Sequence, residues 1–293
     1  MIRYILLALV LLVLAAGIFL FTADKLMLFN RLVPKDASSE RVAQDIAFGE
    51  AFRQRLDVYA PSALNGDAAL PVIVFIHGGG WRAGDKAGYE FAGRAFAARG
   101  FVTVVPNYRL SPAAHFPAFV EDGAAALRWV RAKIAERGGD PGRIILVGHS
   151  AGAHIAALLA MDESWLGADR IAIAGWVGMA GPYDFLPFDS ASTIGAFGNA
   201  PDPAATQPIN FANEGDPPAL LLHGSVDDTV RPIQSTRLEA RLAAAGVRVR
   251  HVVYEGIGHT RIMTALSRWT RGSAASLDDI EEFARGVSSL ETD

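Results

Sequence analysis

From about residue 43 onward, short uninterrupted runs of branched and aromatic residues alternate with helical stretches, and that alternation leaves few folds open. "PVIVFIH" precedes the helical "GYEFAGRAFAARG", "FVTVVPNY" precedes a long helical stretch from Pro117 to Arg137, and "RIILVGHS" precedes the small-residue helix "AGAHIAALLAM". The strand "IAIAGWVGMAG", the pair "ALLLHG" and "IQSTRLEARLAAAG", and the strand "VRVRHVVYEG" continue the series. A strand that is apolar at every position is buried on both faces, as in a parallel sheet covered by crossover helices. The expected architecture is α/β, with a mostly parallel central sheet and helices on both of its faces. The last helix is announced by Ser276 with Asp279 three residues on, a capping-box signature, and by Leu277, Ile280, Phe283 and Val287 along one face. No internal repeat or linker divides residues 43–293, which read as one domain.

With 293 residues, 51% of them apolar and 20% charged, the chain is long enough for one large core. A formal net charge of -4 and scattered basic residues give no electrostatic footprint for nucleic acid, which is not an expected partner. The absence of cysteine excludes disulfides, a thiol nucleophile and thiolate metal sites, and no spacing resembles a zinc site. Neither a metal nor another cofactor is expected. The amino terminus departs from this globular picture: Tyr4 to Phe21 is eighteen residues without a charge, just long enough to span a bilayer. The apolar "GIFLF" after "AAG" does not suit a signal-peptide cleavage site. Residues 1–24 therefore read as an uncleaved membrane anchor in the form of a transmembrane helix, with a cleaved signal segment as the alternative, and residues 25–42, with "VPKDASSE", as a juxtamembrane linker. Arg3 on one side and Lys25, Arg31 and Lys35 on the other leave its orientation open, with an extracytoplasmic catalytic domain as the expectation.

Ligands of open α/β sheets bind at the carboxyl ends of the strands, and three such ends carry reactive groups. "GHSAG", Gly148 to Gly152, stands between an apolar strand and an alanine-rich helix, the strand–turn–helix setting that the G-x-S-x-G motif requires. Its sharp turn exposes the Ser150 hydroxyl above a helix amino terminus. A serine needs a base, and the base needs an orienting carboxylate. "HGSVDDTVRP" offers Asp227, with Asp228 beside it and Asp184 in "GPYDF" as rivals, and "YEGIGHTR" offers His259 in a glycine-flanked loop after the last strand. Of the seven histidines two lie beyond the acid; His251 falls within a strand, which leaves His259 and the order Ser150, Asp227, His259. Acyl transfer also needs backbone N–H groups aimed at an oxyanion. The run after "PVIVFIH" supplies them: Gly78, Gly79 and Gly80 can turn their amides toward Ser150, and the amide of Ala151 completes the hole, with His77 and Trp81 buttressing the loop.

From about Arg55 to the carboxyl end, "LDVYAP", "HGGGWRAGDK", "NYRLSP", "FPAFVEDGAAALRWV", "GHSAGAHIAALLA" and "LLHGSVDDTVRP" make the chain similar to the α/β-hydrolase superfamily. It resembles the carboxylesterase group related to hormone-sensitive lipase and to bacterial feruloyl esterases and arylformamidase-like enzymes. That resemblance implies an α/β-hydrolase fold and a serine carboxylic ester hydrolase with nucleophile Ser150, acid Asp227, base His259 and an oxyanion motif at His77 to Gly80. The lipase-like branch often has Asp before the serine, where this chain has His149, and a substantial amino-terminal cap, which this chain is expected to lack. Both departures favour the feruloyl-esterase and arylformamidase side. The segment between Phe185 and Pro218, about thirty residues, is the expected lid or acyl-pocket wall, too short for a cap domain, so small or short-acyl esters are the expected substrates. Trp81, Tyr108, Phe116, Phe185 and Phe188 are candidates either for the pocket or for the core. Alternatives with the same residues are an amide hydrolase of the arylformamidase kind, a peptidase, disfavoured because no propeller is expected ahead of the hydrolase domain, and a catalytically silent binding module. The sequence specifies no oligomeric state.

Overall fold

The computed structural model describes residues 25–63 and 68–289. Among the described residues no helix is long and apolar enough to cross a membrane. The apolar stretch Tyr4–Phe21, read above as an anchor, lies outside them.

Eight strands form one sheet: β1 (Ser39–Ala47), β2 (Arg55–Pro61), β3 (Leu70–Ile76), β4 (Val102–Pro106), β5 (Gly139–His149), β6 (Ile173–Met179), β7 (Ala219–Gly224) and β8 (Val249–Tyr254). Their order is β1-β2-β4-β3-β5-β6-β7-β8. β1 pairs with β2, and β2 with β4, in antiparallel fashion, and all other neighbours run parallel. The helices are α1 (Lys25–Leu32), α2 (Glu90–Ala97), α3 (Ala118–Lys133), α4 (Ala151–Met161), α5 (Ala191–Phe197), α6 (Ile233–Ala244), α7 (Arg261–Thr264) and α8 (Ser276–Ser288).

β3 shows why its sequence is a continuous apolar run. Val72, Val74 and Ile76 join the core on one face with Val120 and Leu127 of α3, Ile155 and Leu159 of α4, and Leu238 of α6. Ile73 and Phe75 join the core on the other face with Phe91 and Phe96 of α2 and Leu277 and Ile280 of α8. Successive side chains of a strand alternate faces, so a strand covered on both sides is apolar throughout. The mostly parallel sheet with helices on both faces expected from the alternation is the one observed.

Two local expectations are corrected. The capping box at Ser276 does not form: the residue flanking α8 is Ala275, with no side-chain cap. Asp279 instead accepts from the Tyr254 hydroxyl at 2.6 Å and pairs with Arg250, so tertiary partners on β8 outcompete the local cap. Residues 25–42 are also not a free linker. α1 docks through Asn30, which donates to the Ala87 carbonyl at 2.8 Å and accepts from the Phe91 amide at 3.0 Å, and Phe29 meets Phe91 edge-on with ring centroids 5.3 Å apart. β1 then extends the sheet by one edge strand whose exposed face carries few apolar residues to signal it in the sequence.

Candidate active site

The carboxyl ends of β3, β5, β7 and β8 converge on one cleft of about 1460 Å³, larger than the several hundred Å³ common for small-molecule sites. Ser150 sits in the turn between β5 and α4 with φ 55° and ψ −121°, a left-handed conformation that a non-glycine residue adopts only under constraint. Its amide is held by the Met179 carbonyl of β6 at 2.9 Å, and its side chain makes no helix-cap bond, which leaves Oγ for other partners. The glycine two residues on has a steric cause: a Cβ on Gly152 would lie 2.0 Å from the Ile76 carbonyl oxygen, so α4 can pack this close to the end of β3 only without a side chain there.

The loop after β7 and the loop after β8 bring the other two groups in. His259 Nε2 lies 2.9 Å from Ser150 Oγ, and His259 Nδ1 lies 2.8 Å from Asp227 Oδ2. With Nδ1–H donating to the carboxylate, Nε2 carries the lone pair and accepts from the serine hydroxyl. Asp227 Oδ1 accepts the amides of Thr229 at 3.0 Å and Val230 at 2.9 Å. Burial would raise this carboxyl, but hydrogen bonds from His223 and His259, the His259 charge and the Val230 amide outweigh it and hold Asp227 below the usual carboxylate range.

The rival carboxylates stand elsewhere. Asp184 is ion-paired to Arg237 at 2.7 Å, and Gln234 ties down its backbone, accepting from its amide at 2.7 Å and donating to its carbonyl at 2.6 Å. Asp228 is exposed at the cleft wall, where its carboxylate accepts from the Thr229 hydroxyl at 3.4 Å.

Opposite Ser150, Gly79 (φ 126°) and Gly80 (φ 58°) turn the loop after β3 back on itself, and a Cβ on Gly79 would lie 2.1 Å from the Ala83 carbonyl oxygen. Among the described residues, the backbone N–H groups of Gly79, Gly80 and Ala151 have no hydrogen-bond partner. Gly78 lies against the serine, its Cβ position 3.1 Å from that of Ser150, while its carbonyl is within 2.8 Å of His77 Nδ1. His77 is stacked against Tyr108 (4.4 Å) and Tyr89 (5.5 Å), and its own carbonyl accepts from the Tyr108 hydroxyl at 3.0 Å. Of the five candidate aromatics, Trp81 and Phe185 line the cleft. Tyr108 packs on His77, and Phe116 and Phe188 pack around Phe197.

Two further histidines support the triad. His149 donates through Nε2 to the His259 carbonyl at 3.0 Å, fixing the loop from behind, and His223 lies 3.4 Å from Asp227 Oδ2. Burial lowers His77 and His154 to about 4, and burial together with the neighbouring His259 lowers His149 to about 3. These three rings are neutral in the fold yet would protonate below about 6.5 once unfolded. Their contribution to stability is full above that value and is lost as the pH falls toward 4. Each costs about 1.4 kcal/mol per pH unit within that window. Urea unfolding is expected to show stability dropping steeply between pH 6.5 and 4.5, and a flat profile there would refute the buried neutral state.

The family model described as BD-FAE matches residues 56–242. The isoprenylcysteine alpha-carbonyl methylesterase ICME of Arabidopsis thaliana is 31% identical over 246 residues, 76% of this chain and 57% of that protein. Carboxylesterase NlhH of Mycobacterium tuberculosis is 44% identical over 104 residues, 35% of this chain and 32% of that protein. The chain thus spans little more than half the length of the first of these. Among solved structures, an inhibited esterase B from Lactobacillus rhamnosis aligns with a TM-score of 0.79 at 19% identity over 96% of this chain and 97% of that one, a likeness of fold.

Proposed function

The chain belongs to the BD-FAE family, and on that premise we propose that it is a serine carboxylic ester hydrolase acting through Ser150, His259 and Asp227 on small or short-acyl esters. The observation that carries the reading is the continuous relay from Ser150 Oγ through His259 to Asp227, at 2.9 and 2.8 Å. As Ser150 Oγ bonds to the ester carbon, its proton passes to His259 Nε2 and the carbonyl π electrons move onto oxygen. The N–H groups of Gly79, Gly80 and Ala151 stabilise that oxyanion, each donor worth roughly a hundred- to a thousandfold in rate. Asp227, kept ionised, stabilises the imidazolium. Collapse breaks the bond to the alcohol oxygen, which takes the proton from Nε2, and leaves an acyl-serine. Water, deprotonated by the same nitrogen, attacks that acyl group and releases the acid, restoring Ser150.

The same reading gives Tyr4–Phe21 the role of an anchor holding the enzyme at a membrane, supported by its length and lack of charge. The acyl preference is supported by crowding behind the oxyanion loop, where Trp81 meets Phe197 at 4.7 Å and Phe185 at 5.8 Å. Turnover of p-nitrophenyl acetate and butyrate is expected to exceed that of the palmitate by at least roughly tenfold in kcat/KM, with formanilide cleaved more slowly than aryl acetate. A rate rising steadily with acyl length, or formanilide as the better substrate, would overturn the substrate class.

A further inference from the structure

The cleft has one wall that the chemistry at Ser150 does not account for. Lys25, Leu26 and Phe29 of α1 line it together with Tyr89, Met263 and Thr264. Tyr89 and Met263 are buried, and Leu26 and Phe29 are half-buried. α1 is held there by Asn30 and by the contact of Phe29 with Phe91, so the wall is built into the domain. The same cleft is also lined by the charged residues Asp184, Asp189, Arg231 and Arg237. Leu26, Phe29, Tyr89 and Met263 give this cleft an apolar wall beside its charged lining, which suits an ester with one apolar half.

Proton transfer decides which half goes where. The alcohol oxygen must be within reach of His259 Nε2 when it leaves. Met263 and Thr264 follow His259 by four and five residues through α7, and both line the same cleft as Leu26 and Phe29. The acyl group, by contrast, hangs on Ser150 with its oxygen toward Gly79 and Gly80. There the Trp81 cluster closes the space, and Ser192 Oγ lies 3.0 Å from where a Cβ on Gly80 would be. We propose that Leu26 and Phe29 of α1, with Tyr89 and Met263, form the subsite for the apolar alcohol of a short-acyl ester. This assignment rests on the serine-esterase reading above.

The test uses the full chain with ethyl acetate, dodecyl acetate, p-nitrophenyl acetate and p-nitrophenyl dodecanoate. Leu26→Gln, and separately Phe29→Ser, are expected to lower the kcat/KM ratio of dodecyl to ethyl acetate at least roughly tenfold, about the loss from removing one apolar contact. The ratio of p-nitrophenyl dodecanoate to acetate is expected to stay within about twofold. An unmoved alcohol ratio, or a fall in the acyl ratio instead, overturns the proposal. A second measurement separates it from the esterase reading: calorimetric titration of dodecyl acetate into Ser150→Ala, with and without Leu26→Gln. Binding weakened at least roughly tenfold by the second substitution supports the subsite even if the parent chain hydrolyses no ester, and that lack of turnover would sink the esterase reading alone. Equal binding in the two proteins overturns the subsite even if the parent is a fast esterase.

Discussion

Ser150→Ala is expected to lower kcat for p-nitrophenyl acetate by roughly a millionfold, leaving only what oxyanion donors and binding supply. The substitution removes a single oxygen. Ser150 makes no helix-cap bond with it, and the backbone at this turn is fixed by the Met179 carbonyl and by close packing around Gly152, so the fold should survive. The positive φ of 55° disfavours alanine about as much as serine, and the thermal melt of the variant is expected to match the parent's. A variant that keeps more than a tenth of the activity would place the nucleophile elsewhere.

Asp227→Asn is expected to cost roughly ten-thousandfold in kcat with little change in KM. The reason is the direction of one hydrogen bond. Asp227 Oδ2 accepts from His259 Nδ1 at 2.8 Å, while Oδ1 accepts the Thr229 and Val230 amides. Asparagine keeps an oxygen for those two amides and so presents its NH₂ to His259. The imidazole must then put its proton on Nε2, where it can no longer accept from Ser150. Asp184→Asn, made beside it, is expected to change kcat less than about threefold, because that carboxylate is paired with Arg237. A larger loss in Asp184→Asn than in Asp227→Asn, read by steady-state kinetics on the same ester, would exchange their roles.

Much of this architecture was legible because each element has a strong local cause. A strand covered on both faces must be apolar throughout, so β3, β5 and β7 announced themselves. The turn at Ser150 needs small residues on either side, which left G-x-S-x-G in the sequence. Ser150, Asp227 and His259 lie far apart in the chain, and the strand ends that carry them meet only because β5, β7 and β8 run parallel in one sheet. The rest was not legible for equally physical reasons. His149 acts through a backbone contact that leaves no pattern in sequence. α1 is a helix of eight residues whose seating depends on Asn30 finding the backbone of residues 87 and 91, a tertiary contact without local signature. The capping box at Ser276 shows the reverse case, a clear local signal overridden when Asp279 finds Arg250 and Tyr254.

The most direct test of the central claim is covalent trapping of the serine. The parent protein would be treated with an alkyl fluorophosphonate, in which the attacking oxygen bonds to phosphorus as fluoride leaves, and its intact mass and peptides read by mass spectrometry. One adduct per chain, mapped to the peptide containing Ser150 and lost in both Ser150→Ala and His259→Ala, is the predicted result. No adduct on an active preparation, or an adduct on another residue, would contradict the assignment of Ser150 as the nucleophile.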